Sequence, residues 1–145
     1  MDFLSAIDLS ASALTAERTR MNTISSNIAN ANVTKTPEGG PYRRKDAVFQ
    51  SIPQQESFGE ILDDMLEGDL QRVQVAEVSS DQGPPRLVYN PSHPEANQQG
   101  YVAMPNVNPV EEMVNMLNSS RSYEANVTAM DASKAMAMKA LEIGK

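Results

Sequence analysis

The chain has no cysteine and no tryptophan, and it has a single histidine. Without cysteine, neither a disulfide nor a Cys-based metal site can form. The sequence contains no run of about 18 consecutive apolar residues, so it predicts no transmembrane helix and no direct membrane insertion. Residues 1–5 lack the basic and apolar segments of a signal peptide, and we therefore expect no signal-peptide cleavage.

Basic residues are in the minority. The formal net charge is −7, and most of it falls within residues 37–109, where eleven acidic residues stand against five basic ones. Residues 1–36 are neutral overall, and residues 110–145 carry a net charge of −1. This balance argues against nucleic acid or an anionic membrane as the main partner. Nearly neutral ends favour packing against copies or relatives.

Proline and glycine are almost absent from the two ends, since all nine prolines and six of the seven glycines lie within residues 37–109. This distribution predicts an N-terminal helix with an Asn-rich motif at 1–36, a small β-rich, acidic middle domain at 37–106 and a C-terminal coiled-coil helix at 107–145. The expected fold class is mainly α. A short β unit is inserted between two long helices that form an α-helical coiled-coil pair.

The C-terminal helix carries a narrow apolar line with steps of three and four residues, which is typical of a coiled coil. Asn108 suits the helix cap, and Pro109 suits the first helical position. The line, here called the C-terminal seam, consists of Met113, Met116, Ser120, Tyr123, Val127, Met130, Lys134, Ala137 and Leu141. Such a narrow apolar face predicts a helical partner.

A second seam marks the N-terminal part and predicts a helix over residues 3–30. Ile7, Leu14, Met21 and Ile28 recur every seven residues, flanked by Phe3, Leu4, Ala11 and Ile24. Most polar residues of this helix are uncharged Ser, Thr and Asn, which are mediocre helix formers. We therefore expect the segment to be poorly ordered until it finds a partner.

The middle domain predicts several short strands. Residues 42–52 alternate loosely and predict a strand, whereas residues 58–66 predict a short helix or an acidic loop. Residues 72–78 alternate cleanly and are expected to pair with residues 86–89 across a turn rich in Asp, Gly and Pro. A last short strand is expected at residues 101–104.

No residue combination predicts a catalytic, cofactor or metal site. His93 lies in a proline-bound loop without a second His or a Cys to complete a ligand set, and no serine stands in a G-x-S-x-G pattern. The acidic cluster at 63–69 lacks the ligand order of a calcium loop. A lytic glycosidase acting through Asp63 or Glu67 is disfavoured, because no aromatic platform lies nearby. The basic run at 43–45 predicts a salt-bridged strand edge.

Five motifs resemble those of bacterial flagellar axial proteins, a family of rod, hook and hook-associated subunits. Residues 25–34 (SSNIANANVT) resemble the N-terminal signature of that family. Residues 42–45 (YRRK), 100–108 (GYVAMPNVN), 112–114 (EMV) and 121–126 (RSYEAN) resemble the proximal rod proteins of the basal body. The resemblance covers both ends and parts of the middle, in the same order.

The resemblance implies a non-enzymatic structural subunit of the proximal rod. Such a subunit polymerises through its terminal helices into the hollow drive shaft that transmits torque. The implied partners are its own copies, other rod subunits, an adaptor protein at the rod base and the flagellar type III export apparatus. The implied location is the periplasm-spanning basal body, reached without a cleaved signal. Residues 54–70 form an acidic segment that looks longer than the one family members usually carry.

The expected assembly interface lies on both terminal parts of the chain, and its asparagines are expected to act by hydrogen bonding rather than by chemistry. Its N-terminal members are Ile7, Leu14, Met21, Ile24, Asn27, Ile28, Asn30, Asn32 and Thr34. Its C-terminal members are Met113, Met116, Leu117, Tyr123, Asn126, Val127, Met130 and Leu141.

Two other interpretations stay open at this level. A sister rod subunit would share the N-terminal motif. A soluble helical export chaperone or regulator would use the same seam to bind one partner, and it would be stably helical when alone and stay in the cytosol.

Overall fold

The computed structural model describes residues 3–53 and 71–143 of the 145-residue chain. Two helices, α1 (Phe3–Ala29) and α2 (Pro109–Ile143), enclose four strands in the chain order: β1 (Lys45–Pro53), β2 (Gln71–Ser80), β3 (Arg86–Tyr89) and β4 (Tyr101–Met104). This order confirms the predicted class of two long helices with a small β part between them. The pairing of the helices as a coiled coil stays a prediction, and the segment at 58–66 lies outside the described residues.

The start of α2 is fixed by its own sequence, as predicted. The side-chain oxygen of Asn108 accepts a hydrogen bond from the Val110 amide at 3.2 Å, and its carbonyl accepts one from the Glu112 amide at 3.0 Å. Pro109 is the first helical residue and loses nothing there, because the first amides of a helix have no intrahelical partner. Glu111 and Glu112 stand in the first turn, where the helix dipole favours negative charge.

Several polar side chains of α1 form hydrogen bonds with the backbone of the same helix. The hydroxyls of Ser10, Thr15 and Thr19 each donate to the carbonyl four residues earlier, at 2.9 to 3.1 Å. At the other end of the helix, the Asn30 side chain donates to the Ser26 carbonyl at 2.8 Å. The Ser26 carbonyl also accepts a hydrogen bond from the Asn30 backbone amide at 3.0 Å, so both nitrogens of Asn30 bind the same carbonyl at the end of the helix.

The strands form two separate two-stranded sheets, and the predicted pairing of 72–78 with 86–89 is wrong. β1 pairs with β2, and β3 pairs antiparallel with β4 with Tyr89 opposite Tyr101. The physical reason is the Pro84–Pro85 step before β3, which lacks the two backbone donors that a tight β2–β3 hairpin would use next to its turn.

The chain divides into two compact units. The first comprises Met1–Thr19, Phe49–Ala76 and Ser120–Lys145, and the second comprises Arg20–Val48 and Glu77–Ser119. In the first unit Ala16 is buried, and the Ser12 hydroxyl accepts a hydrogen bond from the Val73 amide at 3.3 Å. In the second unit the buried apolar residues are of small or medium size, namely Ile24, Ala31, Ala47, Val102 and Val107.

Within residues 3–53 and 71–143, neither helix is long and apolar enough to cross a membrane.

Candidate assembly site and its buried polar support

The predicted interface residues of the N-terminal part differ in exposure. Most are half-buried, namely Ile7, Leu14, Met21, Ile28, Asn30 and Thr34. Asn32 is exposed, whereas Ile24 is 5% exposed and Asn27 is 0% exposed. A side chain without exposed surface can affect an assembly only through the residues that it holds in place. That Asn27 directly contacts another subunit stays a prediction.

The predicted residues of α2 fall on two sides of the helix. Met116, Tyr123, Asn126, Val127 and Met130 are half-buried. The largest apolar members outside this group, Met113, Leu117 and Leu141, are 53%, 61% and 74% exposed. The predicted interface of α2 is therefore only partly covered by the chain itself, and Met113, Leu117 and Leu141 are available to another chain.

Asn27 forms the centre of a buried polar cluster in the second unit. Its side-chain nitrogen donates to the Lys45 carbonyl at 2.7 Å and to Glu112 Oε2 at 2.9 Å. Its side-chain oxygen accepts from the Tyr42 hydroxyl at 3.0 Å and from the Lys45 amide at 2.9 Å. An amide side chain has two donor hydrogens and an oxygen with two lone pairs, so every hydrogen-bonding position of Asn27 is used.

Glu112 brings a negative charge into the same cluster. Its side chain is 1% exposed, and Oε1 accepts a hydrogen bond from Arg44 Nε at 2.8 Å. Burial disfavours the charged form of Arg44, but the hydrogen bond and charge of Glu112, aided by Asp46, outweigh it and raise the pKa of Arg44 above its ordinary value. The pair is hydrogen-bonded on both carboxylate oxygens, which is the condition under which a buried charge is tolerated.

The cluster continues into the turn after β2. The Arg44 amide donates to the side-chain oxygen of Asn106 at 3.3 Å, and the Asn106 side-chain nitrogen donates to Asp81 Oδ2 at 2.6 Å. The Asp81 amide returns a hydrogen bond to the Arg44 carbonyl at 2.8 Å, and Asp81 Oδ1 accepts from the Gly83 amide at 2.7 Å. Side chains and backbone thus close a continuous network.

This network joins four of the five motifs that carry the family resemblance, at residues 25–34, 42–45, 100–108 and 112–114. The prediction of a salt-bridged strand edge at 43–45 is confirmed for Arg44, which pairs with Glu112 and Asp46. The sequence analysis did not single out Glu112 or Asn106 as part of a site. The sequence offered one signal for Glu112, which stands four residues before Met116 of the C-terminal seam. Residues four apart lie on the same face of a helix, so Glu112 could have been expected near that seam.

Two apolar surfaces of the second unit remain exposed. The first, which we call the helix patch, lies at the start of α2 and consists of Val110, Met113, Val114 and Leu117, which are 51% to 68% exposed. The second, which we call the hairpin patch, lies on the β3–β4 hairpin and consists of Leu87, Tyr89 and Tyr101, which are 64%, 65% and 41% exposed. Contiguous apolar surface of this kind marks interaction sites.

The remaining candidate residues carry no site chemistry in the described ranges. His93 is half-buried, and its Nδ1 accepts a hydrogen bond from the Glu95 amide at 3.2 Å within its own loop. Among residues 3–53 and 71–143, no three His, Asp or Glu side chains are grouped so as to hold a metal ion. Asp63 and Glu67 lie outside those ranges.

Family models and individual relatives of known identity match this chain, and all of them are flagellar basal-body rod proteins. Residues 7–35 match the family described as "Flagella basal body rod protein", and residues 98–143 match "Flagellar basal body rod FlgEFG protein C-terminal". The chain is 49% identical to the flagellar basal-body rod protein FlgC of Bacillus subtilis (strain 168), over 97% of both chains. It is 42% identical to the FlgC proteins of Borreliella burgdorferi, over 99% of this chain and 98% of the relative, and of Salmonella typhimurium, over 100% of both. The chain therefore belongs to the FlgC family of flagellar basal-body rod proteins and is a structural subunit of the rod.

Proposed function

We propose that this rod subunit polymerises through its two terminal helices into the proximal part of the hollow drive shaft. The observation that carries the proposal is the set of large apolar side chains that α2 leaves exposed, among them Met136, Met138 and Leu141 at 67%, 57% and 74%. Exposed apolar side chains in such number are unfavourable in an isolated soluble chain, and neighbouring subunits would cover them. Torque would then pass through many helix contacts, without a catalytic residue.

The test is a charged substitution at an exposed interface residue beside a matched control. Ile28→Asp and Val127→Asp would also block assembly, but both side chains are half-buried, so these variants would disturb the subunit itself. Leu141→Asp changes a side chain that is 74% exposed, so the folded chain loses little. Ala140→Asp places the same charge one residue earlier, on another side of the helix.

Each variant is expressed in a strain that lacks the native gene, and basal bodies are purified. We expect Leu141→Asp to be expressed normally, to be missing from the basal bodies and to abolish swimming, whereas Ala140→Asp assembles. Normal swimming with Leu141→Asp, together with wild-type amounts in the basal body, would contradict assembly through this helix.

The individual binding partners follow from the same proposal. The chain contacts its own copies, other rod subunits and an adaptor protein at the rod base, and it is delivered by the flagellar type III export apparatus without cleavage. The resemblance of both terminal motifs to the flagellar axial family supports this route. Mass spectrometry of the chain in purified basal bodies tests it, since the full-length mass is expected and a shortened N-terminus would refute uncleaved export.

We also propose that the first unit orders only on assembly. Residues 20–48 and 77–119 are joined by the buried cluster around Asn27, whereas Ala16 is the one fully buried apolar residue among the described residues of the first unit. Backbone hydrogen exchange of the monomer should therefore be fast in residues 5–19 and 120–142 and slow in the second unit. Equal protection of both units in the lone chain would refute folding on assembly.

A further inference from the structure

The apolar lines of both helices repeat every seven residues. Those of α1 are Ile7, Leu14, Met21 and Ile28, and those of α2 include Met116, Tyr123, Met130 and Ala137. A helix that slides by seven residues moves by about 10 Å and still places apolar residues where apolar residues stood. Apolar contacts therefore distinguish poorly between the registers in which α1 and α2 can meet, where the register means which residues of the two helices lie side by side.

A buried polar contact joins the two helices in the second unit. Asn27, in the last turn of α1, donates to Oε2 of Glu112, in the first turn of α2, at 2.9 Å. Arg44 Nε donates to Oε1 of the same carboxylate at 2.8 Å. We propose that the ion pair of Glu112 with Arg44, together with Asn27, fixes one register of α1 against α2, and that rod assembly requires this register. The inference rests on the proposed function, because helices in another register would present a different surface to neighbouring copies.

A shift of α1 by seven residues breaks the cluster, because it brings Arg20 to the place of Asn27. The side-chain oxygen of Asn27 accepts from the Tyr42 hydroxyl and from the Lys45 amide. Arginine has no acceptor for either donor, and it would add a second cation beside Arg44. This register therefore leaves polar groups of the cluster without partners.

A shift of α2 by seven residues has a similar effect. It brings Ser119 to the place of Glu112, so that a hydroxyl replaces the carboxylate. The Arg44 side chain is 25% exposed, and it would keep only the more exposed carboxylate of Asp46, at 3.4 Å. A largely buried charge that loses its partner is unfavourable. The cluster thus disfavours both shifted registers, whereas the apolar lines accept them.

The ion pair is better suited to selecting a register than to raising stability. Glu112 is 1% exposed, and burial offsets much of the attraction between the two charges. Replacing a buried ion pair by apolar side chains of similar size is therefore often neutral for stability, whereas removal of one partner leaves the other buried without compensation. Replacing both partners separates the two roles. We expect such a chain to stay folded and to lose its single register.

The double variant Arg44→Met/Glu112→Met makes this replacement in the full-length chain. Because the chain has no native cysteine, nitroxide labels can be attached specifically to Asn22→Cys and Asn118→Cys, at exposed positions of α1 and α2 in the second unit. Electron paramagnetic resonance then gives the distribution of distances between the labels, and urea unfolding gives the midpoint. A second double variant, Arg44→Leu/Glu112→Leu, repeats the test with branched side chains.

The control is Lys139→Met/Glu142→Met, which removes an exposed ion pair within a single helix. We expect one narrow distance in the parent chain and in the control. The apolar variants should unfold at a urea midpoint no lower than that of the parent chain and show a second population of distances, displaced by up to about 10 Å. Without the cysteines, and expressed in a strain that lacks the native gene, they should be depleted from purified basal bodies and swim poorly.

Three results would each overturn the inference. A clearly lower urea midpoint in both apolar variants would show that the ion pair serves stability. A single, unchanged distance would show that other groups fix the register. Two populations of distances with wild-type amounts in basal bodies would show that assembly does not require one register. The proposed function would stand in all three cases, because it is refuted by a separate result, the normal assembly of Leu141→Asp.

Discussion

Replacing Asn27 by Ala removes the centre of the buried cluster. The side chain makes hydrogen bonds to Glu112, to the Tyr42 hydroxyl and to both backbone groups of Lys45. Alanine cannot replace any of them, and it leaves a gap beside a carboxylate that is 1% exposed. The second unit is therefore expected to lose stability even though the substitution removes no apolar side chain.

The magnitude follows from the partners that are left behind. A lost hydrogen bond to a buried charge costs about 1.5–3 kcal/mol, and each backbone group left unpaired costs about 1–3 kcal/mol if water cannot reach it. Lys45 and Tyr42 are only partly shielded, so water can replace some of these bonds. We therefore expect a loss of about 3–5 kcal/mol in the free energy of unfolding, at the upper end for single substitutions.

Asn22→Ala is the matched control, because Asn22 is exposed on the same helix. Both substitutions gain the same helix propensity, roughly 0.6 kcal/mol, so their difference isolates the buried cluster. Urea unfolding followed by circular dichroism gives the free energies. Hydrogen exchange of the Lys45 amide, which donates to Asn27 at 2.9 Å, gives a local measurement. Its protection should fall in Asn27→Ala and persist in Asn22→Ala.

Equal free energies of unfolding for the two variants, with an unchanged Lys45 amide, would refute the reasoning. They would show that the cluster is replaced by water without loss, and that the unit is held by its apolar residues alone.

Three further substitutions use neighbouring controls and the same unfolding measurement. Arg44→Lys keeps the charge but loses the planar donor group, and should cost about 1–2 kcal/mol, against roughly 0.5 or less for Arg43→Lys. Because the pKa of Arg44 is raised, the stabilisation by its ion pair with Glu112 should be present at neutral pH and, on the alkaline side, be lost only in strongly alkaline solution. Gly100→Ala should cost at least about 1 kcal/mol more than Gly40→Ala, since both have φ near +80° but the second has no atom within 4 Å of the new Cβ; equal losses would show that the ring of Tyr89, whose Cε2 lies 2.8 Å from a Cβ atom built at Gly100, moves freely. Ser119→Ala should leave stability unchanged or raise it by up to about 1 kcal/mol, because the buried hydroxyl oxygen has no hydrogen-bond partner among the described residues; a clear loss would reveal a partner.

The two helices were predictable because their signals are local. The gap in proline and glycine, the Asn108–Pro109 start and the repeating apolar positions act within a few residues of each other, and α2 begins at Pro109 as the sequence predicts. The pairing of the strands was not predictable in the same way. β2 alternates well enough to pair with either neighbour. The Pro84–Pro85 step disfavours a β2–β3 hairpin, but it does not select β1, whose pairing with β2 joins residues far apart in the chain.

The amino-acid sequence by itself determined the class of this protein, namely two long helices around a small acidic middle, without a metal-binding or catalytic pattern, and with the motifs of a rod subunit. Tertiary structure decided that Asn27, Arg44, Asn106 and Glu112 form one buried network, and that the patches on α2 and on the β3–β4 hairpin stay uncovered. The physical reason is that propensity and periodicity act over one or two helical turns. A buried charge is stable only where side chains from distant segments meet it, and only the folded chain brings them together.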